Sequence, residues 1–504
     1  MGSRVTLTAP RPLATELPSR AARSRRGGRR LGSQADRLRA TLLGPGWPLK
    51  WLLVGIPVWW ALGLASFAFL IAAFVMAVQM VRGRRLRLPV GFGIWVLFLA
   101  WTLLGVVVLW AGAPGTVDGG GIERLVGFVY RGIWYLAITV AMLYPLSLTS
   151  RELPDLRVIR WMAFLLVVCV VGGLAGLLVP RFEFTSLAEL VIPGARSDGF
   201  IRQKLHPSLT TLSEFLGYEQ PRPKAPFTYA NAWGNNVGLL LPFFVYAWLR
   251  SDGWRRLAGP VVLVLAVVPI AFSLNRGLWL GLGMLTAYGA VVLVRSRRYL
   301  VLWTAGATLA VAAVVFLVSP LADTVTLRLE TPHSNDRRAT VAETVIGTTW
   351  EGSPLLGYGT NRQVSGSFSS VAGGANPDCR NCAAPPLGTQ GFIWRLIFTT
   401  GFVGTVLFAG FVAVQFFTHA RRRDAASVLG CMALSVSVLF AFVYDSLESP
   451  LFLVMVAVGL MNRARLEERD AAEAGTRVPW RVSDHTAEPL DAHPRPAPRE
   501  VPSG

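Results

Sequence analysis

The sequence predicts an all-α, polytopic integral membrane protein with about twelve transmembrane helices, both termini cytoplasmic, and two large extracytoplasmic loops carrying short helices. Three observations predict it. The 504 residues are 53% hydrophobic and 15% charged, with a mean hydropathy of +0.47, far more apolar surface than one soluble core hides. Apolar runs of bilayer length recur along the chain. Arginine-rich turns, which carry much of the formal net charge of +20, fall where an alternating path returns to one side, so retention in the cytoplasm explains them and no nucleic-acid partner is expected.

The elements follow in order. Residues 1–48 form a basic tail, read as largely disordered and, lacking an early apolar core, not as a cleaved leader. From Trp51 to Val81 the chain is almost uninterruptedly apolar with arginines on both flanks, which predicts a tight pair of short spans. Single spans are expected at Gly91–Ala111, Leu125–Leu148, Trp161–Val179, Asn231–Leu249, Leu257–Ser273, Leu278–Val294, Leu300–Val318, Phe392–Phe417 and Ala425–Tyr444. Pro450–Met461, the shortest, completes a transmembrane domain over 49–462. This threading leaves two long polar stretches outside, about 180–230 and 319–390, too long for simple connectors and so expected to be functional. The Pro- and Ala-rich remainder, 463–504, reads as a disordered cytoplasmic tail. Lysine occurs only at Lys50, Lys204 and Lys224, a bias that high-GC codon usage produces, pointing to the plasma (inner) membrane of a high-GC bacterium.

Several residues invite chemistry. Cys169 and Cys431 lie in apolar runs, whereas Cys379 and Cys382 form a CRNC pair in a polar loop. That pair reads as a local disulfide, since a zinc site would need two further ligands that the sequence does not place nearby. In Ser273-Leu274-Asn275-Arg276-Gly277, squeezed between two spans, Arg276 is held at the membrane boundary, either snorkelling to lipid phosphate or serving a site. His333, Ser334, Asn335 and Asp336 are N-cap candidates for a surface helix in which Val341, Ala342, Val345 and Ile346 recur at helical spacing. Its amino end, with Arg337 and Arg338, reads as an anion site or as a solvated basic turn. Arg222 and Lys224 precede an amide cluster of Asn231, Asn235 and Asn236, which either binds sugar hydroxyls or joins helices. Asp445 and Glu448 are candidates to position a cation or acceptor, with Arg131 a conceivable partner. The remaining outer carboxylates are scattered, with no Asp-x-Asp pair, which favours a site without metal.

These pieces resemble the O-antigen ligase and O-antigen polymerase superfamily of membrane glycosyltransferases over roughly Trp51–Met461. The residues that carry the resemblance are the Arg222–Asn231 segment, Ser-Leu-Asn-Arg276-Gly, Arg337-Arg338 with Ser353-Pro-Leu-Leu-Gly-Tyr-Gly359, and Gly388-Thr-Gln390-Gly followed by Gly401-Phe-Val-Gly404. The resemblance implies extracytoplasmic transfer of a glycan from a polyprenyl-diphosphate-linked donor to a hydroxyl of a glycan or glycolipid acceptor, by polymerase or ligase, with no metal or cofactor. Arg276 and Arg338 would clamp the diphosphate, Arg337 standing in for Arg338 if needed. Arg222, Lys224, Asn231, His333 and Arg337 are the candidate substrate-binding residues around them. One departure is plain. The family's histidine is here Gln390 and its following asparagine is Gly391, and a glutamine is no general base. Gln390 would orient the acceptor hydroxyl, so that either deprotonation is not demanding, or another group such as His333 or His206 supplies the base, or the chemistry is altered. A flippase of lipid-linked glycans and a non-catalytic family member are the alternative readings.

Overall fold

A computed structural model describes residues 44–83, 86–117, 121–194, 199–213, 219–307, 326, 333–365 and 385–475. The expected Cys379–Cys382 pair, most of both tails and residues 308–318 of one expected span lie outside the described residues. The apolar runs become helices because a backbone in hydrocarbon must satisfy its own N–H and C=O groups. The first stretch folds as α1 (Trp47–Val54), α2 (Ile56–Ala61) and α3 (Ala65–Val81), broken at Gly55 and turned at 62–64. Then come α4 (Phe92–Leu104), α5 (Ile122–Leu146) and α6 (Asp155–Leu178).

The first long loop holds α7 (Leu187–Val191) and α8 (Gly199–Leu205), and also an antiparallel hairpin, β1 (Thr210–Ser213) with β2 (Gln220–Pro223), that an all-α expectation does not contain. After it run α9 (Ala230–Leu249), α10 (Trp254–Phe272) and α11 (Arg276–Arg295), followed by α12 (His333–Gly352), α13 (Phe392–His419), α14 (Ala425–Ala441) and α15 (Ser449–Glu473). Among the described residues, α5, α6, α10, α11, α13 and α15 are long and apolar enough to cross a membrane by length and composition, and α3, α4 and α14 are shorter apolar helices. The 25 residues of α5 rise about 37 Å, enough for a hydrocarbon core of about 30 Å. The protein is a helical, membrane-embedded one.

The shortest expected span turns out to be the axis of the bundle. From Ser449 to Ala464 every residue of α15 is buried, packed by α5, α14, α9 and α3, as expected of a helix that is apolar all round. It continues past Arg463 to Glu473, beyond the point where the sequence reading starts the tail. Arg463 is only 1% exposed, donates to the Leu153 carbonyl at 2.8 Å and is ion-paired with Asp155. The residue expected to be a charged flank is a buried tie between α15 and the α5–α6 turn.

The arginine-rich turns gather at one end of the bundle. Arg87 meets Asp470 at 2.9 Å, Arg422 meets Glu468 at 2.5 Å, and Arg295 donates to the Ala420 carbonyl at 3.0 Å. This end is called the arginine end, and the opposite one, where the long loops fold, the loop end. The turns after α11 and α13 and the charged end of α15, which the charge reading puts on one face, are among the segments that meet here.

Candidate functional site

The loop end is organised by residues 442–449, the turn from α14 into α15. Pro450 in the first turn of α15 fixes where the new helix starts. Three of the turn's side chains each reach a different part of the chain. Tyr444 is hydrogen-bonded to the Asn275 side-chain oxygen, Asp445 is ion-paired with Arg395, and Glu448 meets Lys204 at 2.5 Å. Ser446 and Ser449 accept from Asn235 (2.8 Å) and Asn236 (3.0 Å), both buried on α9. Of the two uses weighed for these amides, the structure has the joining of helices.

Around Tyr444 the sequence-predicted arginines come together. Asn275 caps α11, accepting from the Leu278 amide at 3.4 Å, so its neighbour Arg276 starts the helix at the boundary. Gly277 is needed there because a Cβ would run into the Tyr444 ring. From α12, Arg338 arrives half-buried, and the charged or ionisable groups acting on it are Tyr444 and Arg276. Burial lowers its pKa and Arg276 lowers it further, while Tyr444 acts the other way; among the described residues its buried Nε has no hydrogen-bond partner. The Tyr444 hydroxyl is itself pushed well up by burial, against the pull of Arg338. Arg276 and Arg338 are thus near enough for one charge to act on the other.

The helix that delivers Arg338 already includes His333, the first of the expected cap residues, so Arg338 sits in its second turn and not at its free amino end. Its inward face is Val341, Val345, Thr348 and Thr349, with Ile346 exposed. The side chains of His333 and Arg337 are not among those described.

Other predicted residues are positioning groups. Arg222, buried on β2, donates to the Ser273 carbonyl at 2.7 Å and to Asn231 at 3.1 Å, bracing the turn that carries Arg276. Lys224 is half-buried with its pKa lowered by burial, Glu183 opposing. His206 lies at 2.8 Å from Glu189 and 3.7 Å from Glu183, held on the α7–α8 platform. Arg131 donates to the Gly359 carbonyl at 2.6 Å; the direct partners of Asp445 and Glu448 are Arg395, Lys204 and Tyr130 instead.

Gln390 occupies the left-handed region, φ 66°, just before α13, where a non-glycine residue is strained by about 1–2 kcal/mol. Arg395, one turn on, donates to the Gly388 carbonyl at 3.4 Å while holding Asp445, so Gln390 and Asp445 share one bracket. Burial raises the Asp445 pKa, against the charge of Arg395, and Glu448 raises it too.

The glycine motifs interlock behind this bracket. At Gly401, φ 67°, α13 breaks, and Tyr358 and Gly359 donate to the freed carbonyls of Phe398 (2.8 Å) and Thr399 (3.1 Å). A Cβ on Gly401 would collide with the Leu355 carbonyl, and one on Gly357 would come within 2.6 Å of the Gly401 amide. Nearby, Arg362 is 3% exposed and donates to the Leu109 carbonyl at 2.6 Å; burial brings its pKa down to about 10.

Lys204 is a residue the sequence reading passed over. Its side chain is 2% exposed, paired with Glu448 and set over the rings of Tyr130 (5.9 Å) and Tyr229 (5.8 Å). Burial, and then Glu448, push the Tyr229 hydroxyl up to about 12. The scarcity of lysine was the only signal in the sequence. Beside the turn, an apolar cavity of about 460 Å³ runs between α13, α14 and α15, lined among others by Phe392, Leu396, Phe408, Leu434 and Phe442. Phe392 also donates its amide to the Tyr444 carbonyl at 2.8 Å, which places the cavity next to the arginine wall.

Among the described residues no group of three or more His, Cys, Asp or Glu is placed to hold a metal ion. Compared with family models, with curated proteins and with solved structures, the chain matches none.

Proposed function

We propose that this protein transfers a glycan from a polyprenyl-diphosphate-linked donor to an acceptor hydroxyl, as the resemblance to O-antigen ligases and polymerases implies. It would do so on the extracytoplasmic face of a bacterial plasma membrane, crossing it about twelve times with both termini inside. The observation that carries this reading is that Arg338 feels the charges of both Arg276 and Tyr444, with its Nε buried and unmatched among the described residues. Like charges drawn together in a partly desolvated wall are stabilised by an anion between them. The adjoining apolar cavity suits the donor's prenyl chain.

In the reaction the acceptor oxygen attacks the anomeric carbon, the bond from that carbon to the diphosphate breaks, and the diphosphate leaves with the bonding pair. Negative charge grows on the leaving group, so fixed guanidinium groups act most strongly in the transition state. Gln390 orients the acceptor hydroxyl, and Asp445, whose raised pKa suits proton transfer, takes its proton.

The test uses the full chain in liposomes with undecaprenyl-diphosphate-linked oligosaccharide and a glycan acceptor. Mass spectrometry follows free undecaprenyl diphosphate and the extended glycan. Wild type releases both, and Arg276→Ala or Arg338→Ala reduces release by about a hundredfold or more. A donor that crosses the bilayer intact, with no diphosphate released, overturns transfer in favour of transport.

A further inference from the structure

At the arginine end a second cavity, about 280 Å³, opens between α9, α11 and α14. Three guanidinium-bearing residues line it, one from each surrounding junction: Arg250 just past α9, Arg298 just past α11 and Arg423 just before α14. They are distant in sequence and meet only through the fold. Arg250 is steadied over the Tyr246 ring at 5.2 Å. Among the described residues no carboxylate lines the cavity. The nearest acid in sequence, Asp424, is already committed, accepting from the Ser427 amide at 2.9 Å and paired with Arg422 at 3.0 Å.

The rest of the lining is different in kind. Val292 and Leu293 of α11 and Val428 of α14 form an apolar wall continuous with the membrane-crossing surface of α11. Aromatic rings mark the same level, with Trp248 against Trp254 at 5.9 Å and Trp254 largely exposed, as at a membrane–water interface. Three cations above an apolar wall match a molecule with a phosphate at one end and acyl chains at the other.

We infer that the cavity lined by Arg250, Arg298 and Arg423 binds a phosphate-bearing anion, with the headgroup of an anionic membrane phospholipid as its source. The site is separate from the donor site and does not depend on the glycosyl-transfer reading.

The experiment is native mass spectrometry of the full chain in detergent, with dioleoyl phosphatidylglycerol, dioleoyl phosphatidylcholine or inorganic phosphate added in separate arms. Wild type retains phosphatidylglycerol over phosphatidylcholine, and the triple variant Arg250→Gln, Arg298→Gln, Arg423→Gln weakens that retention roughly a hundredfold. A control triple, Arg151→Gln, Arg157→Gln, Arg160→Gln, removes the same charge from exposed positions at the same end and leaves retention unchanged. Equal losses in both triples, or equal retention of the two lipids, overturn the site. Inorganic phosphate bound by wild type, lost in the first triple and unmatched by lipid, supports the anion site and overturns its lipid source.

Discussion

The Tyr444 hydroxyl is hydrogen-bonded to the side-chain oxygen of Asn275, the residue that caps α11 immediately ahead of Arg276. Through this contact the turn after α14 sets where the first predicted clamp begins its helix. Tyr444→Phe keeps the ring against Gly277 and removes only the hydroxyl. The expected cost is about 1–2 kcal/mol of stability, read by thermal unfolding in detergent, together with a several-fold loss of donor turnover. Turnover equal to wild type would remove Tyr444 from any role in placing Arg276.

Arg338→Lys separates charge from shape. A lysine keeps the positive charge but has no Nε and no fork to grip two phosphate oxygens. Binding of a soluble probe, farnesyl diphosphate, is expected to weaken about tenfold in Arg338→Lys and further in Arg338→Ala, with unfolding temperatures close to wild type. Equal affinities in all three proteins would place the diphosphate elsewhere.

The sequence made the helices legible because each apolar run obeys a single constraint, internal satisfaction of the backbone in lipid. Arginine also marked the turns after α11 and α13 and the charged end of α15 as lying on one face, and these are in contact. What it did not reveal depends on packing between distant segments. The first run, expected as a tight pair of short spans, is broken twice, at Gly55 and at 62–64, and its apolar composition does not say where. Pro450–Met461 is short by composition yet becomes the most enclosed helix, because burial by α5, α9 and α14 replaces contact with lipid. Arg276 and Arg338 were legible as candidates, but their nearness to one another was not, and Arg222 and Asn231 proved to brace the Arg276 turn. Lys204 and Glu448 carry no local motif at all, and only the fold joins them.

That Lys204–Glu448 pair predicts an asymmetry. Lys204 is almost fully covered, so Glu448→Gln leaves a buried ammonium with a weaker partner and should cost about 3 kcal/mol or more. Lys204→Met combined with Glu448→Gln should recover much of that loss, since both charges are gone. Denaturation of the two single variants and the double variant gives the coupling. Additive losses would mean that the pair contributes no specific tie between α8 and the α15 turn.

The raised pKa of Asp445 gives a pH prediction with a definite sign. A carboxyl raised above its ordinary value of 3.8 favours the protonated form in the folded state. Its contribution to stability is therefore present below that value and is lost as pH rises through the folded pKa. Catalysis runs the opposite way, because a base must be deprotonated, so turnover climbs over the same window. Glu448 is one cause of the rise, and Glu448→Gln should move the acidic limb of the pH–rate profile to lower pH. An unmoved limb in Glu448→Gln, with Asp445→Asn fully active, would assign the proton to another group.

The interlock at the break in α13 is the most demanding piece of backbone in the site. Gly401 has both a left-handed φ and no room for a Cβ beneath the Leu355 carbonyl, and the carbonyls its break frees are taken by Tyr358 and Gly359. Gly401→Ala adds strain and a backbone collision together, and about 2–4 kcal/mol is the expected loss. Gly410→Ala, on the same helix with open space around it, is the matched control and should be neutral or slightly stabilising. The 353–359 loop leads directly from the helix bearing Arg338, so its displacement in Gly401→Ala should weaken farnesyl diphosphate binding as well as stability. Loss of stability with binding intact would show that the break holds the bundle together without positioning the arginine wall.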